Sequence, residues 1–274
     1  MPRPYRRLCN NRGPKIKHAS PSDTLTTHQL LPARIKLPAP GSDAGWGRLI
    51  GASLALAVAE LAQAEARPIL VLAEDPRHAD QLEAEIRFFA GEAIPVEHFV
   101  EWETLPWDSF SPHQDIISQR LRVLAGLPGM TRGVIIAAAT VLQQRLPPVE
   151  YVAARSLSLR QGQELPRGPF TDSLVESGYL RVPQVSEHGE FAVRGSLIDV
   201  FPMGADAPVR IDFFDDEIES LRYFSAENQL SGERLDTVSI LPAREVPLDS
   251  DAIHTFRDKY RAVSYTHLRA HETS

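Results

Sequence analysis

Ile69-Leu70-Val71-Leu72-Ala73-Glu74-Asp75-Pro76 is the stretch on which the fold turns. Four apolar residues without a polar interruption read as a central strand of a parallel sheet, where both faces are covered and alternation disappears. Asp75 offers a side-chain oxygen to the free N–H groups of a helix start, and Pro76 suits the first helical position. Leu82, Ile86 and Phe89 then recur at i, i+4 and i+7, one apolar face of a helix. Strand, cap and amphipathic helix therefore follow one another within about twenty residues.

The same alternation extends outward. Upstream, Gly47 to Gln63 is rich in Ala and Leu and free of proline, which predicts a buried helix. Downstream, Ser111-Pro112 repeats the start signal, and Ile117, Leu121 and Leu124 supply the stripe. Val134-Ile135-Ile136-Ala137 reads as another buried strand, with Thr140 placed to cap a following helix. Order begins near residue 34, and Pro147-Pro148 ends the pattern. An α/β unit over residues 34–153 is expected, its parallel sheet covered by helices on both faces.

Beyond about residue 154 the texture changes. A helix is expected from about Phe170 to Gly178. Phe191 and Val193 then alternate with Glu190, Ala192 and Arg194. Glu187-His188-Gly189 is a turn signal, so residues 181–194 are expected to form a hairpin. Leu197–Phe201 reads as a further strand. Val209, Ile211 and Phe213 alternate with Arg210 and Asp212, and Asp215-Asp216 turns the chain into Ile218–Phe224. This is a smaller α+β module with a mostly antiparallel sheet, over residues 154–246.

Composition narrows the function. The net charge of -7 argues against a surface built mainly for nucleic acid. Cys9 is the one cysteine, which excludes an internal disulfide and fits a cytoplasmic setting. No stretch has the length and apolarity of a membrane span, so no membrane partner is expected. Residues 1–33 are basic and polar, with Arg3, Arg6, Arg7, Arg12, Lys15 and Lys17, and read as a disordered extension. A nucleic-acid-binding arm is the other reading of that segment.

The α/β unit has the layout of a nucleotide-binding domain, but its phosphate loop is degenerate. Such a loop needs glycines for backbone approach, a lysine for the outer phosphates and a Ser or Thr for magnesium. Gly41, Gly45 and Gly47 are present, yet Arg48 and Leu49 stand at the lysine and hydroxyl positions. No lysine occurs from residue 37 to 258. A guanidinium does not replace a compact ammonium there, so neither catalysis nor a bound cofactor is expected of this chain.

Other chemistry is sparse. Asp212, Asp215, Asp216 and Glu217 could attract a hard cation, but turn aspartates have local reasons to be there, and no metal site is expected. His188 lies beside Glu187 and Glu190 with no nucleophile to serve, and reads as a solvated turn residue. Trp102 and Trp107 could stack on bases, although packing is the commoner use of large aromatics.

Three segments carry a more specific likeness. Trp102-Glu103-Thr104-Leu105-Pro106-Trp107-Asp108-Ser109-Phe110-Ser111-Pro112-His113, continuing to Leu121, resembles bacterial transcription-repair coupling factor. So do Gly178–Gly204, with Glu187-His188-Gly189-Glu190-Phe191-Ala192-Val193-Arg194-Gly195 inside it, and Arg210–Leu221. The likeness covers about residues 34 to 261. It implies that residues 34–153 are a helicase-like domain without a working nucleotide site, and that residues 154–246 bind the excinuclease component UvrA. It also implies that the chain is an N-terminal piece of an ATP-dependent DNA translocase that displaces stalled RNA polymerase. ATP, magnesium, RNA polymerase and DNA would then be handled by motor and other domains outside it. The segment Trp107–His113 is short. The related excinuclease component UvrB carries a damage-probing β-hairpin in the corresponding region, and its absence puts damage verification by this chain in doubt. Residues 247–274 read as a truncated segment, and Val263–Ser274 resembles a translated sequencing adapter.

By the same resemblance, Arg181 and Arg194 are the partner-binding arginines, with Phe191 and Phe201 as candidate apolar contacts. The alternation that sets Phe191 beside Val193 also gives it a core reading. At Ala192 the UvrB relative has a further arginine, so this surface is one charge poorer. Two other functions stay open: a direct DNA-binding module and a small stand-alone ATPase.

Overall fold

The computed structural model describes residues 37–47, 49–105, 108–248 and 250–271. Its first unit begins with α1 (Ser53–Ala64), β1 (Pro68–Ala73), α2 (Pro76–Ala90) and β2 (Val96–Phe99). It continues through α3 (Gln114–Gly126) to β3 (Gly133–Ala138). The three strands are parallel in the order β1-β3-β2. Asp75 caps α2 as the sequence predicts: its carboxylate accepts the His78 N–H at 2.8 Å, and Pro76 opens the helix.

One face of this sheet is well covered. Leu82 and Ile86 of α2, Ala55 and Val58 of α1, and Val134 and Ile136 of β3 share a core. Burying each of the larger side chains stabilises the fold by roughly 1.5–3 kcal/mol. On the other face, α3 packs Val123 against Phe99 and Ala137. That cover does not reach β1, where Leu70 and Leu72 are 55% and 47% exposed. The apolar run of β1 thus does not mark a central strand covered on both faces. β3 is the middle strand, and β1 pairs with β3 alone among the described residues.

Two expected helix starts also differ. α3 begins at Gln114 rather than at Ser111-Pro112, with the His113 ring nitrogen accepting the Asp115 N–H at 3.3 Å. After β3 the chain makes only a short 3-10 turn over Ala139–Gln143, without a side-chain cap from Thr140.

The second unit adds α4 (Val149–Ala154), β4 (Leu157–Arg160), α5 (Arg167–Glu176), β5 (Leu180–Arg181), β6 (Glu190–Arg194) and β7 (Leu197–Val200). β8 (Val209–Phe214), β9 (Glu217–Phe224), β10 (Ser231–Leu235) and β11 (Thr237–Ile240) follow. Six strands form one sheet in the order β10-β9-β8-β7-β6-β5, and β11 pairs with β4 in a second, two-stranded sheet. Every neighbouring pair in the large sheet is antiparallel except β5 and β6. The expected hairpin over residues 181–194 is therefore absent. Parallel strands need a crossover, and residues 182–189 supply it. The hairpin of this region is β6–β7, turning at Gly195-Ser196, where Gly195 takes a positive φ of 63°.

Alternation governs the large sheet. Phe191, Ile198, Val200, Val209, Ile211 and Leu221 point to one side and pack with Phe170 and Leu174 of α5. Leu121 of α3 enters the same core, so α3 serves both units. α6 (Ser250–His271) follows, and it runs through residues 263–271, which the sequence reading sets apart from the fold. No described helix is long and apolar enough to cross a membrane.

Candidate partner-binding surface

Arg194 ends β6 on the side of the sheet opposite the main core. It is exposed, and one guanidinium nitrogen donates to the Pro183 carbonyl at 2.8 Å. That bond ties it to the crossover loop and leaves other N–H groups for a partner. Arg181 is also exposed, but its register partner is Phe191. Paired residues point to the same side of a sheet, so strand register sets Arg181 on the face opposite Arg194. The two expected arginines do not form one cluster.

The two expected phenylalanines are enclosed. Phe191 is 0% exposed within the main core, so its apolar side chain offers nothing to a partner in this conformation. The alternation with Val193 already carried that reading. Phe201 is 9% exposed and packs with Val185, Ala192 and Phe224 beneath the crossover loop.

His188 corrects a second expectation. It is not solvated, because the segment is a loop folded down on the sheet rather than a projecting hairpin tip. Its Nδ1 lies 2.6 Å from an Asp115 carboxylate oxygen on α3, and its Nε2 lies 2.9 Å from the Ala205 carbonyl. Its ring sits 4.0 Å from that of Phe201. His188 thus pins the crossover loop to the first unit.

The Arg194 face carries residues that sequence reasoning missed. Across β6, β7, β8, β9 and β10 one row of paired positions reads Ala192, Asp199, Arg210, Arg222 and Arg234. Beside it runs a second row of Arg194, Leu197, Asp212 and Ser220. Asp199 is buried and takes two hydrogen bonds from Arg210, at 2.7 and 2.9 Å. Those bonds raise the Arg210 pKa, against the opposing effect of desolvation. The guanidinium also lies 4.8 Å from the Phe224 ring centroid. The signal was the polar half of each alternating strand, which is legible position by position only once the register is known.

A different arginine holds the junction. Arg120 of α3 is 0% exposed. It makes a two-point ion pair with Glu245, at 2.6 and 3.1 Å, and donates to the Val100 carbonyl. Its guanidinium lies 4.2 Å from the Phe99 ring and 4.9 Å from the Trp102 ring. The Trp102 indole N–H donates to Glu245 at 3.1 Å, so Trp102 has a packing and hydrogen-bonding use. Trp107 lies outside the described residues, as do Arg48 of the degenerate phosphate loop and residues 1–36. Gly47 is separated from α1 by residues 48–52, so the glycines of that loop do not lead directly into the helix start.

Known proteins match this sequence. Residues 157–246 match the family described as UvrB interaction domain. The chain is 46% identical over 215 residues to the transcription-repair-coupling factor of Escherichia coli strain K12, covering 78% of the chain and 19% of that protein. It is 38% identical over 215 residues to the Haemophilus influenzae protein of the same name, with the same coverage of each. For the Mycobacterium tuberculosis protein the identity is 37% over 209 residues, 73% of the chain and 17% of that protein. The chain spans about a fifth of the length of the relatives it matches.

Proposed function

The chain is homologous to the N-terminal part of the transcription-repair-coupling factors, and on that premise we propose that it recruits the excinuclease component UvrA in transcription-coupled nucleotide excision repair. The observation that carries this reading is the match of residues 157–246 to an interaction domain, on a unit whose sheet presents Arg194 to solvent. Arginine suits the task, since its planar donor fork fits carboxylates and it is enriched at interface hot spots. Arg194 is the central contact. Arg181 reaches a partner only where that partner wraps the β5 edge.

Recruitment in this reading is non-catalytic. The helicase-like α/β unit has Arg48 and Leu49 where a phosphate loop needs lysine and a hydroxyl. In the longer protein, an ATP-dependent translocase would act on DNA and on stalled RNA polymerase through other domains, in the cytoplasm. Stand-alone ATPase activity and direct DNA binding have less support, from the missing lysine and from the net charge of -7.

A pull-down of the full chain against purified UvrA tests the proposal, with UvrB as a control. Wild type is expected to retain UvrA. Arg194→Ala is expected to weaken the complex by on the order of 2 kcal/mol in a direct titration, the range for a hot-spot arginine. A folded wild type that does not retain UvrA refutes recruitment.

A further inference from the structure

We propose that the docking face extends from Arg194 across the whole sheet to Arg222 and Arg234, and that it takes a carboxylate-rich surface of a protein partner. The inference rests on the recruitment reading and specifies the chemistry of the partner's side of the contact.

Strand register brings the arginines together. Arg210 pairs with Arg222, and Arg222 pairs with Arg234, on three successive strands. Directly opposed like charges destabilise a sheet. Three carboxylates around these arginines are already engaged. Asp199 is matched to Arg210 at 2.7 and 2.9 Å. Asp212 accepts the Ser196 hydroxyl at 3.2 Å. Glu190 accepts the Ser186 and Glu187 backbone N–H groups at 2.8 and 2.9 Å, and the Ser186 hydroxyl at 3.2 Å. Arg194, Arg222 and Arg234 have no ion pair among the described residues. A chain of net charge -7 thus gathers three unmatched guanidinium groups on one sheet face, with like charges left opposed on neighbouring strands. An external set of carboxylates relieves that repulsion and adds the planar two-point pairing that arginine favours.

Two features favour an acidic protein over a nucleic acid. Asp212 and Glu190 lie among the arginines and interrupt the positive rows, which suits discrete carboxylates better than a continuous phosphate backbone. Leu197 lies in the same row as Arg194 and is partly exposed, supplying an apolar contact beside the charges.

The test titrates the full chain with UvrA and, separately, with duplex DNA. The chains compared are wild type, Arg194→Ala, the pair Arg222→Glu and Arg234→Glu, and the milder pair Arg222→Gln and Arg234→Gln. Thermal melts establish that each chain is folded. The expected result is a complex about tenfold or more weaker for the Glu pair, a smaller loss for the Gln pair, and melts at or above the wild-type temperature. Weakening by Arg194→Ala with no change in either pair overturns the extension and leaves recruitment intact. No binding of UvrA by folded wild type ends the recruitment reading, and the extension with it. Duplex DNA bound by wild type and released by the Glu pair, with UvrA affinity unchanged, assigns the face to phosphate and overturns the proposal.

Discussion

The two sheets meet their surroundings in opposite ways. The six-stranded, mostly antiparallel sheet packs one face against the main core and keeps most of its polar residues on the other. The three-stranded parallel sheet has a long apolar strand at its side, with Leu70 and Leu72 half exposed. Period-two alternation states which face is buried, whereas a continuous apolar run states only that the strand is apolar. The second unit draws most of its core from its own strands and α5, with Leu121 of α3 added. The first unit depends on α3, whose Leu121 lies in the second unit's core and whose Arg120 pairs with Glu245.

Phe191→Ala strikes the large sheet and should have the largest effect, a loss of roughly 3–5 kcal/mol from the cavity left in the main core. Denaturant unfolding measures it. A cost near zero would mean that Phe191 is not packed as described and could serve a partner. Glu245→Gln attacks the dependence of the first unit on the second. Removing one partner of a buried ion pair leaves Arg120 buried with its charge unmatched, at a cost of about 3 kcal/mol. The first unit should then unfold ahead of the second, seen as two transitions where wild type shows one. A single transition at unchanged midpoint would break the comparison.

Asp75→Ala removes the α2 cap and should cost about 1 kcal/mol. It should act on the first unit alone, so amide exchange should quicken in α2 and stay unchanged in β6–β9. The smallest effect concerns pH. Glu83 is held below its ordinary carboxylate value, first by the hydrogen bond from His98 at 2.8 Å and further by Arg87. A lowered pKa stabilises the fold above the unfolded value of 4.5, and the contribution fades as pH falls through the folded value. Melts of wild type and Glu83→Gln should therefore differ at neutral pH and converge in acid. A gap that widens in acid would reverse the sign.

How much the sequence discloses follows the same contrast. The Asp75-Pro76 cap, the alternation in Val209–Phe213 and the Asp215-Asp216 turn are local signals, and each is realised. The parallel pairing of β5 with β6 is not local, because Glu187-His188-Gly189 looks like a hairpin turn whichever way the strands then pair. Arg120 hides for a related reason. It lies on the apolar stripe itself, three residues after Ile117 and four before Leu124, but its partner Glu245 is 125 residues away. The arginine row is illegible for the same cause, since it is assembled from five strands.

The ends of the two sheets differ in a way that bears on self-association. At one end of the large sheet β5 is only two residues long, and at the other β10 carries a register shift between Ser231 and Arg234. Short and irregular outer strands resist the addition of a foreign strand. β1 has neither protection: it offers six regular residues, half-exposed leucines and no charge between Pro68 and Ala73. Concentrated solutions of the chain should therefore aggregate by strand addition at β1, and a lysine at position 70 or 72 should suppress it while leaving the arginine face as it is.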